Sequence, residues 1–239
     1  MKTAVVLIGH GSRRPAGNQR VAEIAEALQG RLPEVSVSHG FIELAEPHMT
    51  VALASAAQHA ERVVVVPVLL FASGHAQVDI PEAVAEARAA YPQVDFVQTE
   101  VLAHGPRFLD ILDDRVSGLE CMENRAAVVL VGRGWETDGM RGQFLAIVDQ
   151  FKNRHDFERC EVAYAGVCEP AIGPVLDELL ADGPVEILVV PFLFFPGILT
   201  ERLQEAIDER QDVNPGTRLS LADTLFDGRV VDMLAERGT

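Results

Sequence analysis

The stretch Ala4-Val-Val-Leu-Ile-Gly-His-Gly-Ser-Arg13 decides how this chain folds. Its run of apolar, mostly β-branched residues predicts a buried strand, and Gly9-His10-Gly11 ends that strand abruptly before a helical pattern begins. His10 is therefore predicted at the carboxyl end of a parallel strand, where open α/β sheets bind ligands. An imidazole there either hydrogen-bonds to stabilise the turn or acts chemically, since it can hold a metal ion or move a proton at neutral pH.

The composition is that of a globular protein with a strong negative charge. Of 239 residues, 48% are hydrophobic, and 36 acidic against 20 basic side chains give a formal net charge of −16. This charge opposes binding to nucleic acid and to anionic membrane surfaces. The longest apolar runs, 63–72 and 187–198, are too short to cross a bilayer as helices, and no signal-peptide cleavage pattern follows the first strand. We therefore expect a cytoplasmic protein without nucleic-acid or membrane partners.

Strands alternate with helices along the whole chain, which predicts an α/β fold with parallel sheets and helices on both faces. In the first half, strands are predicted at Ala4–Ile8, Val35–Ile42, Val63–Leu69 and Asp95–Val101. The intervening and closing helices are predicted at Asn18–Gly30, Met49–Ala60, Ile80–Ala90 and Arg107–Val116.

The second half of the chain repeats the first. The run beginning at Ala4 returns as Ala127-Val-Val-Leu-Val-Gly-Arg-Gly134, at an offset of 123 residues (4 to 127), and Glu46-Pro47 returns as Glu169-Pro170 at the same offset. A constant offset over separate landmarks indicates tandem duplication of one βα unit. We expect two lobes, 1–118 and 126–239, joined by a linker at 119–125. Each lobe should hold a small parallel sheet, with a cleft between the lobes.

The two copies differ at polar positions that follow the strands. Arg133 stands opposite His10, Gly166 opposite Glu43, and Ile198 or Leu199 opposite His75. The carboxyl edge of a parallel sheet gathers residues that follow neighbouring strands. Two imidazoles and one carboxylate suit a first-row divalent ion with open coordination positions. The first copy is therefore predicted to carry a metal site formed by His10, Glu43 and His75.

These residues also carry a family resemblance. The chain resembles the class II tetrapyrrole chelatases, which are the sirohydrochlorin cobaltochelatases and ferrochelatases of the CbiX/SirB type. The resemblance is carried by Gly9-His-Gly-Ser-Arg13 with Asn18, by Phe41-Ile-Glu-Leu44, and by Gly74-His75 with Asp79-Ile-Pro81. The resemblance covers essentially the whole chain and is to the long, fused two-repeat form. It implies insertion of cobalt, iron or nickel into sirohydrochlorin, in cobalamin or sirohaem biosynthesis, without an organic cofactor. His10, His75 and Glu43 would be metal ligands and catalytic residues.

The resemblance also implies contacts to the carboxylates of sirohydrochlorin. The basic side chains on the expected rim are Arg13, Arg14 and Arg133. Ser12 either hydrogen-bonds a substrate carboxylate or caps the following helix. Asp79 either orients His75 or caps the helix that begins near Pro81. The other histidines, His39, His48, His59, His104 and His155, are expected to be structural or solvated.

Two other functions stay open at this stage. A phosphohistidine enzyme would typically have arginine before the histidine, where this chain has Gly9. A non-catalytic protein that binds or delivers a divalent metal or a tetrapyrrole would explain the three polar residues but not the retained second copy. Because one chain supplies both copies, we expect a monomer.

Overall fold

The chain folds into two four-stranded parallel sheets, each flanked by helices. The computed structural model describes residues 2–72, 74–120, 123–135, 138–166 and 168–238, and for His75, Ala76 and Asp138 it describes the backbone alone. The duplicated α/β fold predicted from the sequence is confirmed.

The first sheet contains β1 (Thr3–Gly9), β2 (Ser36–Phe41), β3 (Arg62–Pro67) and β4 (Asp95–Gln98) in the spatial order β2-β1-β3-β4. The helices that alternate with them are α1 (Pro15–Arg31), α2 (Met49–Ala57), α3 (Ile80–Ala90) and α4 (Pro106–Val116). A π-helical turn over His75–Asp79 leads directly into α3. Every predicted element is present. The ends differ by up to three residues, and β4 stops at Gln98 instead of Val101.

The second sheet contains β5 (Ala126–Gly132), β6 (Arg159–Tyr164), β7 (Glu186–Pro191) and β8 (Arg218–Leu221) in the matching order β6-β5-β7-β8. Its helices are α5 (Asp138–Lys152), α6 (Ile172–Asp182), α7 (Ile198–Gln211) and α8 (Gly228–Gly238). The pairing registers also match, because Ala4 faces Ser36 across β1–β2 just as Ala127 faces Arg159 across β5–β6. The two copies therefore share one topology.

The central strand of each sheet is covered on both faces. From Ala4 to Ile8, no residue of β1 is more than 3% exposed, and all of β5 is buried. This explains why both strands are continuous apolar runs instead of alternating patterns. No helix within the described ranges is both long and apolar enough to cross a membrane.

The compact units of the structure do not coincide with the two copies in the sequence. One unit comprises Met1–His104 and Asp227–Thr239, and the other comprises Gly105–Phe226. Helix α8 thus packs against α1 and β3, whereas α4 packs against α5 and β7. The closing helix of each copy buries its apolar face in the unit built by the other copy. The lobes predicted at 1–118 and 126–239 follow the sequence repeat and differ from these units in their last helices.

Candidate metal centre

Three adjacent strands of the first sheet end beside one another, and each is followed by one predicted ligand. His10 follows β1, Glu43 follows β2 and His75 follows β3, while the spatial order is β2-β1-β3. The pairing continues past the strand ends, because the Glu43 amide donates to the His10 carbonyl at 3.0 Å. On the other side of β1, the Val68 amide donates to the Ile8 carbonyl at 2.8 Å. We call this region the metal edge.

The side chains of His10 and Glu43 face each other at the metal edge. Nε2 of His10 lies 3.7 Å from Oε1 of Glu43, and the two side chains are 46% and 48% exposed. Ligand atoms at this spacing can both reach one ion at ordinary ligand distances of about 2.0–2.2 Å. Nδ1 of His10 lies 3.2 Å from the Gly11 carbonyl. A proton on Nδ1 satisfies that carbonyl and places the lone pair of the imidazole on Nε2, the nitrogen that faces Glu43.

The third predicted ligand is placed by its backbone. His75 opens the π-helical turn that follows β3, and its side chain lies outside the described residues. Within the described ranges, which omit that side chain, no three His, Cys, Asp or Glu side chains form a group that could hold a metal. Asp79 has helical backbone angles and makes no side-chain cap bond to α3. Asp79 therefore occupies the N-cap position of α3 without a side-chain cap bond.

Gly11 allows the two ligand loops to approach each other closely. Its φ is +93°, a conformation that L side chains rarely adopt, and a Cβ at this position would collide with the Glu43 carbonyl oxygen. Only glycine meets both requirements without strain. The second glycine of the Gly-His-Gly motif therefore keeps the backbones of His10 and Glu43 in register.

Ser12 and its neighbours stabilise the loop that follows His10. The Ser12 hydroxyl accepts a hydrogen bond from the Arg14 amide at 3.0 Å, and the Asn18 side chain donates to the Ser12 carbonyl at 2.7 Å. The N-cap residue of α1 is Arg14, so Ser12 does not cap the helix. Arg13 and Arg14 are exposed beside this loop. Asn18, one of the residues that carry the family resemblance, therefore holds this loop against α1.

The equivalent edge of the second sheet keeps the turn but lacks the ligands. Gly134 repeats the φ of +93° found at Gly11, and the exposed Arg133 stands where His10 stands in the first copy. At the position of Glu43, a Cβ on Gly166 would collide with the Arg133 carbonyl oxygen. This edge therefore cannot accept a glutamate at that position without a backbone shift.

Of the remaining histidines, three have clear structural roles in the first or the second unit. Nδ1 of His48 accepts from the Thr50 amide and caps α2. His59 places Nδ1 3.1 Å from the Ser55 carbonyl. His155 lies between Glu123 and Asp113, at 3.0 and 2.9 Å.

Burial and local hydrogen bonds shift the pKa values of His39 and Glu123, which lie outside the metal edge. Burial lowers the pKa of His39, and Glu26 opposes that shift. Burial acts to raise the pKa of Glu123, but hydrogen bonds from His155 and from the Asp156 amide outweigh it and lower the pKa. Burial therefore explains the pKa shift of His39, and hydrogen bonds explain the pKa shift of Glu123.

The fold is that of a duplicated α/β protein, and His10 and Glu43 of its first copy face each other at the metal edge. The family model CbiX matches this chain twice, over residues 4–119 and 127–238. The chain belongs to the CbiX family, and the expected family is confirmed.

Two relatives and two solved structures cover nearly the whole chain. A sirohydrochlorin cobaltochelatase of Priestia megaterium is 28% identical over 240 residues, spanning 98% of this chain and 78% of the relative. A sirohydrochlorin ferrochelatase of Bacillus subtilis (strain 168) is 26% identical over 221 residues, spanning 92% and 85%. The structure of SirB from Bacillus subtilis with Fe³⁺ has a TM-score of 0.84 at 26% identity, with 99% of this chain and 94% of that chain covered. A cobalt complex of SirB from Bacillus subtilis subspecies spizizenii has a TM-score of 0.74, with the same identity and coverage.

Proposed function

We propose that this protein is a sirohydrochlorin chelatase, a lyase that inserts a divalent metal ion into sirohydrochlorin. The observation that carries the proposal is the His10–Glu43 pair at the metal edge, 3.7 Å apart and half exposed, in a chain that matches the CbiX model in both halves. The metal ion, cobalt, iron or nickel, is a substrate. Similar nitrogen and oxygen ligands accept all three ions, so availability decides among them.

The chemistry requires a site that both binds and releases the ion. As the ion enters the macrocycle, two pyrrole nitrogens lose their protons, so the site must give up a cation and accept protons. Neutral imidazoles at His10 and His75 bind the ion first and accept those protons afterwards. Glu43 offsets the positive charge of the ion. Because His10 and Glu43 are half exposed, a bound ion remains accessible to an incoming ring, unlike the ion of a closed structural site.

The experiment that tests the proposal follows the absorbance spectrum of sirohydrochlorin mixed with Co²⁺ or Fe²⁺, with and without protein. A spectral change faster than the protein-free rate supports the enzyme. Tight metal binding without such acceleration supports the alternative, a non-catalytic protein that binds or delivers the metal or the tetrapyrrole. The proposal includes a cytoplasmic location and a monomeric state, since one chain holds both copies. Light scattering measures the oligomeric state.

Glu43→Gln is expected to slow insertion roughly tenfold, within the range seen when groups around a metal site are altered. The change keeps the shape of the side chain but removes the charge that offsets the ion. Steady-state rates against Co²⁺ concentration measure the effect. Glu46→Gln is the control, because Glu46 lies in the same loop. Its carboxylate accepts a hydrogen bond from the His48 amide, and the side-chain oxygen of glutamine can accept the same bond. Equal losses in both variants would contradict a specific role for Glu43.

Arg133→Ala is expected to raise the apparent KM for sirohydrochlorin about tenfold while kcat changes little, since a charge-assisted bond to a substrate carboxylate contributes to ground-state and transition-state binding alike. Arg133 is exposed at the carboxyl edge of the second sheet. Arg125→Ala is the control. It removes the same charge at the other end of β5, where Arg125 is also exposed. A KM that rises equally in both variants would assign the effect to overall charge. The same KM measurement on alanine variants of Ser12, Arg13 and Arg14 tests whether each residue contacts the substrate.

A further inference from the structure

A single arginine of the last helix binds the loop that follows β4. Nη1 of Arg237 donates to the carbonyls of Glu100 and Val101 at 2.9 and 3.0 Å. Nη2 lies 3.4 Å from the Leu102 carbonyl and 3.3 Å from the His104 carbonyl. We call residues 100–104 the β4 loop. The planar guanidinium thus spans four carbonyls of one short segment, an arrangement that its fixed fork of donors permits.

The β4 loop in turn supports the segment that leads to His75. The Leu102 amide donates to the Leu69 carbonyl at 2.8 Å, and the Ala103 amide donates to the Leu70 carbonyl at 3.0 Å. On its other side, the same segment donates from Val68 to Ile8. Residues 68–70 are therefore held between β1 and the β4 loop, and the chain continues from them to His75.

The contact between the β4 loop and the segment before His75 is buried. Leu102 is fully buried and Phe71 is 4% exposed, so the β4 loop and the segment before His75 meet inside the unit. If Arg237 is lost, carbonyls of a partly buried loop lose a charged donor and must find water or move. Either response is transmitted to residues 69–70 through the two backbone hydrogen bonds.

We propose that Arg237 is a positioning residue of the metal edge: it fixes the β4 loop and, through that loop, the backbone that carries His75. The inference rests on the proposed function, because His75 must be a metal ligand for its position to matter. Arg237 acts through the backbone and need not touch metal or substrate.

The second unit contains a related arrangement, in which an arginine binds a carbonyl of the equivalent loop and no histidine follows. Arg115, at the equivalent place in α4, donates from Nη2 to the Leu225 carbonyl at 3.2 Å. The Leu225 amide donates to the Leu193 carbonyl at 2.9 Å, and the Phe226 amide to the Phe194 carbonyl at 3.1 Å. The segment supported there leads to Ile198 and Leu199 instead of a histidine. Arg115 is therefore a matched control for Arg237.

The test compares full-length Arg237→Met and Arg115→Met with the wild type. Methionine keeps an apolar stem and removes every donor. Co²⁺ titrations followed by absorbance give the Kd, and insertion assays give KM for Co²⁺ and kcat separately. Arg237→Met is expected to raise both Kd and KM for Co²⁺ by about 10- to 100-fold, as loss of a supporting contact at a metal site does. Arg115→Met is expected to stay within about twofold of wild type in both constants, since metal affinity depends on the ligands and on the groups that orient them.

Arg237→Lys distinguishes positioning from simple loss of fold. Lysine retains donors but not the planar fork, so its Kd for Co²⁺ should lie between those of wild type and Arg237→Met. Equal Co²⁺ affinities in Arg237→Met and Arg115→Met overturn the inference, and so does a wild-type Kd in Arg237→Met. If the methionine variant does not fold, a wild-type Kd in Arg237→Lys overturns it equally. A wild-type protein that fails to bind or insert Co²⁺ refutes the proposed function itself, and the inference with it.

Discussion

His10→Ala is expected to slow metal insertion by about 10²- to 10⁴-fold, the range that a group which transfers protons usually contributes. The variant loses the Nε2 atom that faces Glu43, and with it the proposed metal ligand and proton acceptor. Its fold should survive, because the His10 side chain is about half exposed and its truncation leaves no core cavity. The measurement is the initial rate of the spectral change of sirohydrochlorin at saturating Co²⁺, beside a thermal unfolding curve.

His75→Ala is expected to slow metal insertion by a similar factor, because His75 is the second predicted histidine ligand. The ends of β1 and β3 are adjacent in the sheet, so the two histidines share one edge. His59→Ala is the control, because His59 is an exposed histidine that follows α2 and bonds the Ser55 carbonyl. The assignment would be contradicted if His10→Ala and His75→Ala kept the wild-type rate while Arg133→Ala abolished insertion, since the active site would then belong to the second copy.

Local patterns were sufficient to predict most of the fold. A buried central strand must be apolar on both faces, so the runs at Ala4 and Ala127 identify β1 and β5 directly. Parallel pairing and helical crossovers then follow from the alternation of elements. The offset of 123 residues, read from position 4 to position 127, carried the prediction of two like units. Each of these signals depends on residues close in sequence or on simple repetition.

The exchange of the closing helices could not be predicted in the same way. An amphipathic pattern shows that one face of a helix is buried, but not which sheet covers it. Helix α4 buries Phe108, Leu109, Ile111, Leu112 and Val116. Helix α8 buries Val230, Val231, Met233, Leu234 and Gly238. With such similar apolar faces, either helix would suit either sheet, so the sequence left the partners undetermined.

Differences between the two copies predict the residues of the candidate site but not its geometry. Comparison of position 10 with 133 and of position 43 with 166 predicts the ligands, because residues that hold the fold are needed in both copies whereas residues that serve chemistry are needed in only one. The 3.7 Å separation of His10 and Glu43 depends on a left-handed glycine and on backbone hydrogen bonds between distant segments. Those features arise only when the loops after β1 and β2 are already adjacent.

Gly11→Ala tests that dependence and is expected to cause a large loss of both stability and activity. An alanine at φ +93° lowers the free energy of unfolding by roughly 1–2 kcal/mol through the left-handed backbone alone. Its Cβ would also collide with the Glu43 carbonyl oxygen, which cannot move without moving the loop that carries the carboxylate. We expect insertion to fall by at least about 100-fold, the loss that a 1 Å misplacement of a reacting group causes. Thermal unfolding and the insertion rate measure the two effects.

Gly134→Ala separates backbone strain from the collision. Gly134 has the same φ of +93°, so the alanine pays the same conformational penalty, but its Cβ would lie 3.2 Å from the Cys168 sulfur, a side-chain atom that can shift. The second copy also lacks ligands at this edge. Gly134→Ala should therefore lower the unfolding temperature less than Gly11→Ala and leave the Kd for Co²⁺ unchanged. Equal losses of Co²⁺ affinity in the two variants would mean that the loops after β1 and β2 do not set the distance between His10 and Glu43.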